Sequence, residues 1–166
     1  MLKQQTDPTL NKRAAIIEPF ITAAAQTIQM MSSLNVSVLS REDSQTDIAW
    51  QGILSGVIGF TGEKLNGCLV LRFDRPSILS IVSGMFMEEI PEVTSEVVDA
   101  VGEMTNIVLG NAKGGLHDLG YELGMAQPIV VQGDNVYLHQ VNDTPPTVIR
   151  MSVPQGIFLL ELSFKL

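Results

Sequence analysis

One cysteine, Cys68, and two histidines, His117 and His139, are the whole stock of thiol and imidazole in these 166 residues. A lone cysteine has no partner for an internal disulfide, which points to a reducing compartment. The histidines lie far apart, with neither an H-E-x-x-H pair nor clustered cysteines, so ligand spacing argues against a resident metal. Charged residues make up only 17% of the chain against 45% hydrophobic, a balance that favours a packed core over disorder. Basic residues are scarce as well: 10 Lys and Arg against 18 Asp and Glu give a net charge of -8, which disfavours nucleic acid or an anionic membrane as partner. No apolar run approaches the length of a bilayer span, and the opening MLKQQTDPTLNKR has no signal-peptide core. No serine stands in G-x-S-x-G, which removes the ordinary hydrolase nucleophile. Gly52, Gly56, Gly59 and Gly62 match no phosphate-cradling motif and read as bulge and close-packing positions. The expectation is a soluble, cytoplasmic protein with one domain over residues 13–166, preceded by a flexible stretch over 1–12.

What is present is periodic. Ile17, Phe20, Ile21, Ala24, Ile28 and Met31 recur at helical spacing, and Pro19 predicts a helix start near Glu18 because proline suits a first turn. Val36 and Val38 alternate with polar neighbours, as in a strand. Ile53–Phe60 and Gly67–Phe73, joined by Thr61-Gly-Glu-Lys64, read as a hairpin. Arg75-Pro76 opens a short helix, and Thr94 or Ser95 caps a long one. Val97, Val101, Met104, Val108 and Ala112 form the buried side of that long helix, which ends at Leu119-Gly120. After Ile129–Val131 and the turn-rich Asn142–Pro146, Phe158, Leu160, Leu162, Phe164 and Leu166 alternate with a more polar face. The methionines read as core filler. Without regular βαβ alternation the class is α+β, a mixed α/β domain with a largely antiparallel sheet flanked by helices. Both halves run helix then hairpin, hinting at a duplication that no residue-level repeat proves.

The long helix carries the candidate chemistry. Glu103 and Asn106 are three residues apart, about 60° around the axis and about 4.5 Å along it. Both side chains therefore reach one small target on a partner surface. A glutamate pairs with a lysine, and a carboxamide holds a water by donating and accepting hydrogen bonds. Gly110 and Lys113 fall on the same side of the helix. The bland alternative is a solvated glutamate and a polar residue beside a glycine-rich packing face.

The pair stands within D-A-V-G-E-M-T-N-I-V-L-G-N-A-K-G-G, after V-I-G-F-T-G-x4-G-C-L-V-L and an opening E-P-F-I-T-A helix. In order and spacing these segments resemble the CheX/CheC/FliY family, whose E-x-x-N motif removes phosphate from the chemotaxis response regulator CheY. The likeness runs from about Glu18 to the end and is strongest across Gly56–Phe73 and Asp99–Gly114. It implies a CheC-like fold and an aspartyl-phosphate phosphatase acting on a phosphorylated CheY-like receiver. In it Glu103 pairs with the receiver's lysine and Asn106 orients the attacking water. Gly110 is then a close-approach point, with Asn111 and Lys113 as further partner contacts. The receiver holds the divalent metal (Mg), so no cofactor of this chain's own is implied. The first helix reads E-P-F-I-T-A-A-A-Q-T, with alanines and no asparagine to partner Glu18, which favours the single-site CheX branch over two-site CheC. A homodimer formed through the sheets is also implied by the resemblance. The competing reading is a non-catalytic module that docks a receiver or a flagellar or signalling partner.

Overall fold

The computed structural model describes residues 7–43, 52–134, 136, 138 and 145–166. His139 and Asn142–Thr144, named above, lie outside them. Three helices and seven strands follow in chain order: α1 (Pro8–Ser32), β1 (Ser37–Asp43), β2 (Leu54–Thr61), β3 (Asn66–Phe73), α2 (Arg75–Phe86), α3 (Ser95–Asp118), β4 (Gly124–Met125), β5 (Ile129–Gln132), β6 (Thr147–Val153) and β7 (Gly156–Lys165). The class is α+β, as its periodicities predict.

Helix α1 begins well before the expected start at Glu18. The Asp7 carboxylate accepts from the Thr9 N–H at 2.9 Å, and Pro8 occupies the first turn. Residues 8–12, expected to be loose, are thus the opening of a 25-residue helix. Pro19 lies in its interior, against the backbone of Gly115 in α3, where an added Cβ would come within 2.9 Å of the ring. The other boundaries are close to expectation: Asp74 caps α2, Thr94 precedes α3, and Gly120 takes a left-handed φ of 87° after it.

The sheet is antiparallel throughout, in the order β1-β6-β7-β3-β2-β4, with β5 also paired to β2. Exchanging β1, β2 and β3 for β5, β6 and β7 reverses the order β1-β6-β7-β3-β2-β5 and leaves it otherwise unchanged. The duplication absent at residue level is therefore present in the topology, with β3 and β7 at its centre and α1 and α3 as counterparts.

Helices cover one face of the sheet. Phe20, Phe60, Phe73, Phe158 and Phe164 interlock there with Ile17, Ile28, Leu69, Val101, Met104 and Leu160 in one core. Two methionines are not filler: Met30 is 82% exposed and Met87 94%, each at a helix end where the apolar face has run out.

Strand β7 differs from its sequence pattern. Its second face is buried too, with Leu159, Glu161 and Ser163 all shielded from solvent. Glu161 is tolerated because Arg72, diagonally across the β3–β7 ladder, brings its Nε to 2.5 Å from the carboxylate. Arg72 Nη1 in turn donates to the Val136 carbonyl at 2.8 Å, tying the stretch after β5 to the sheet. Burial raises the Glu161 pKa above its ordinary 4.5, with Arg72 opposing. The folded protein thus holds this proton more tightly than the unfolded chain does. The stabilisation is full below pH 4.5 and declines as pH rises through the folded value. In urea titrations from about pH 4 to 7, wild type is expected to lose stability relative to Glu161→Gln as pH rises. Parallel curves would show that Arg72 cancels the cost of burial. Cys68, half-buried nearby, is pushed up to about 11, first by burial and further by the Glu161 charge, against a lowering bond at Ile58. Such a thiol is almost wholly protonated near neutrality and correspondingly unreactive.

Candidate functional site

The site is built by the way α3 seats on the sheet. Val97, Val101, Met104, Thr105, Val108, Leu109, Ala112 and Leu116 are buried, which fixes the helix's inward face over β2 and β5. Thr105 is fully buried and donates its hydroxyl to the Val101 carbonyl at 2.7 Å. Beneath it is Gly56 of β2, where an added Cβ would lie 1.9 Å from Thr105 Oγ1. With Thr105 turned inward, Glu103 and Asn106 face outward, and both are exposed.

Gly110 shares that outer face, about 20° from Glu103 around the axis, and Lys113, half-buried, lies about 80° away beyond Asn106. Asn111 is turned about 80° the other way, toward α1, and its amide donates to Thr27 Oγ1 at 3.1 Å. The structure therefore brings Glu103, Asn106 and Gly110 together, sets Lys113 at their margin and places Asn111 in the α1–α3 seam.

Four glycines in α3 have different surroundings. A Cβ added at Gly115 would collide with Pro19 at 2.9 Å and one at Gly102 would touch Val130 at 3.4 Å, whereas one on Gly110 or Gly114 would meet nothing within 4 Å. Nothing inside the chain requires glycine at 110, and a mid-helix glycine costs about 0.5–1 kcal/mol relative to alanine. Gly110→Ala is expected to stabilise the isolated protein by about that amount, read as a shift in urea midpoint at constant slope. A loss of stability would mean that the helix needs this glycine for its own packing. Gly114, which the sequence reading left unassigned, shares its signal: a helix-breaking residue on an exposed face without an internal partner.

The pair stands on the convex surface of a helix. A hollow of about 450 Å³ lies between α1 and α3, lined by Glu18, Thr22 and Gln26 on one side and Asn111 and Gly115 on the other; neither Glu103 nor Asn106 lines it. In α1, Ile21 stands three residues after Glu18, so the motif is not repeated there. Among the described residues no group of three or more His, Cys, Asp or Glu side chains is placed to hold a metal ion, and no helix is long and apolar enough to cross a membrane. A pair of polar groups on the exposed face of a helix can act on a substrate that brings its own pocket.

Known proteins share this fold. The family model "Chemotaxis phosphatase CheX" matches residues 54–152. A crystal structure of a CheC-like superfamily protein from Shewanella sp. PV-4 is 32% identical, with 91% of this chain and 97% of that one covered and a TM-score of 0.85. The chemotaxis protein CheX from Vibrio vulnificus is 29% identical over 90% of this chain and 99% of its own, with a TM-score of 0.84. A third structure shares the fold at 21% identity over 91% and 98% of the two chains, with a TM-score of 0.76; it is a CheX–CheY–BeF3–Mg complex from Borrelia burgdorferi. No curated protein sequence matches.

Proposed function

The chain belongs to the chemotaxis phosphatase CheX family, and from that premise we propose that it accelerates hydrolysis of the aspartyl phosphate of a CheY-like receiver, in the cytoplasm, with Glu103 and Asn106 as the residues responsible. The observation that carries this reading is the exposure of a carboxylate and a carboxamide, one helical turn apart, on the outer face of a helix. Such a surface suits insertion into a partner's active site. The complex of the Borrelia burgdorferi protein with CheY supports the choice of partner.

Each residue has a role that its chemistry permits. The Glu103 carboxylate pairs with the receiver's active-site lysine and fixes the docking register. The Asn106 carboxamide accepts a hydrogen bond from a water and holds its oxygen in line with the phosphorus. Attack forms the new P–O bond, the bond to the aspartyl oxygen breaks, and inorganic phosphate and the free carboxylate result. Positioning and electrostatics suffice for phosphoryl transfer, so no nucleophile is needed from this chain. The Mg2+ that this chemistry uses belongs to the receiver in this reading. Gly110 lets the receiver's backbone approach the helix closely, and Lys113 touches its margin.

The test is the decay of a phosphorylated CheY-like receiver with a substoichiometric amount of this protein. Several receivers dephosphorylated per molecule would establish an enzyme. Saturable binding with unchanged or slower decay would instead favour a docking module.

We also propose a homodimer joined through the sheet. Strand β1 ends the sheet order and leaves one edge unpaired among the described residues, with Val38 51% and Leu39 52% exposed. Val38→Lys with Leu39→Lys is expected to yield monomers by light scattering. A dimer that survives both changes would place the interface elsewhere.

A further inference from the structure

The contact between Gly56 and Thr105 does more than fill the core. Thr105 is the residue immediately before Asn106, and its side chain leaves the helix on nearly the opposite side from Glu103, about 160° away. Two constraints meet on it. Its hydroxyl is bonded to the Val101 carbonyl at 2.7 Å, which fixes its rotamer. Its Oγ1 and Cβ also press on Gly56, where an added Cβ would lie 1.9 Å and 3.0 Å from them and 3.2 Å from Val101 Cγ1. Any side chain at position 56 collides with Thr105 unless the threonine or α3 itself shifts.

A helix held by apolar side chains alone can rock or roll by a fraction of a residue. A β-branched side chain with a fixed rotamer on a bare strand backbone allows neither. Gly102, one turn earlier, lies near Val130 of β5, where an added Cβ would come to 3.4 Å from Val130 Cγ2. Against α1, the Asn111–Thr27 bond and the Pro19–Gly115 contact set the position of the C-terminal half of α3. The N-terminal half, which carries Glu103 and Asn106, takes its height and roll from Gly56.

We propose that Gly56 and Thr105 are positioning residues for the phosphatase reaction, acting through the placement of Asn106 relative to the rest of the docking face. This inference rests on the function proposed above. A receiver seated on α3 and on the adjoining α1, which meet at the Asn111–Thr27 bond, would hold its phosphorus at a fixed height. An outward shift of α3 relative to α1 then carries Asn106 away from it.

The experiment is a double-mutant cycle read on a phosphorylated CheY-like receiver, with kcat and KM measured separately and scaled to folded protein by circular dichroism. Gly56→Ala is expected to lower kcat about tenfold to a hundredfold, the effect of misplacing a reacting group by about 1 Å, with a smaller change in KM. Asn106→Ala added to Gly56→Ala is expected to cost much less than it does in wild type, because the asparagine is already out of place. Thr105→Ala, which removes the obstructing hydroxyl, is expected to restore part of the kcat lost in Gly56→Ala. Thr105→Ser retains the hydroxyl and is expected to keep more activity than Thr105→Val. These threonine variants carry the test if Gly56→Ala does not fold. Wild-type kcat in Gly56→Ala, or fully additive losses with Asn106→Ala, would overturn the positioning role. If wild type and Asn106→Ala do not differ, the function itself fails, an outcome distinct from the first.

Discussion

Asn106→Ala is expected to slow dephosphorylation of the bound receiver about a hundredfold or more, equivalent to some 2.7 kcal/mol of barrier. The size follows from what the carboxamide is asked to do. Water is abundant, so in the proposed reaction the side chain would contribute by fixing one molecule at the attack angle and by donating and accepting hydrogen bonds as charge redistributes. Those interactions strengthen toward the transition state, so their loss falls on kcat. Binding is expected to change little, because Asn106 is solvent-exposed in the free protein and leaves no unpaired buried group when truncated. Single-turnover decay at saturating protein gives the first quantity, and titration with a stably phosphorylated receiver analogue gives the second. A variant that loses affinity and keeps its saturated rate would make Asn106 a docking residue.

Glu103→Lys is expected to act the other way round, on docking. In the proposed docking a carboxylate meets the receiver's lysine, and the variant would set two cations against each other in a site from which water is being expelled. A swing of about 2–3 kcal/mol is expected, about 30- to 150-fold in Kd. Stability of the free protein is expected to stay within about 0.5 kcal/mol, since Glu103 is exposed and its substitution disturbs no packing. Raising ionic strength from about 0.05 to 0.5 M is expected to narrow the gap between wild type and variant, because screening weakens the wild-type attraction and the variant's repulsion alike. Unchanged affinity in Glu103→Lys would remove the ion pair from the account.

Much of this was legible in the chain because it depends on local periodicity. The buried stripe Val97, Val101, Met104, Val108, Ala112 fixed which side of α3 faces inward, and so placed Glu103 and Asn106 outside before any coordinate was known. The β2–β3 hairpin was readable for the same reason. What failed was set by contacts remote in sequence. Pro19 suggested a helix start, yet α1 runs through it, packed against a glycine 96 positions later. The β7 alternation suggested a solvated face, but Glu161 is covered and paired with Arg72 from another strand. The two-fold strand order was only hinted at by the helix-then-hairpin run of both halves, because which strands pair leaves no mark on either half alone. Gly56 read as a bulge or close-packing position, and the structure shows the close packing, with Thr105 and Val101 as the partners that the sequence did not name.

The most direct measurement is the lifetime of one phosphorylated CheY-like receiver, alone, with wild type and with Asn106→Ala, each at a concentration that saturates binding. Our account predicts a lifetime shortened by wild type and restored to within a few-fold of the receiver alone by the variant, with similar occupancy in both. Equal acceleration by the two proteins would contradict it.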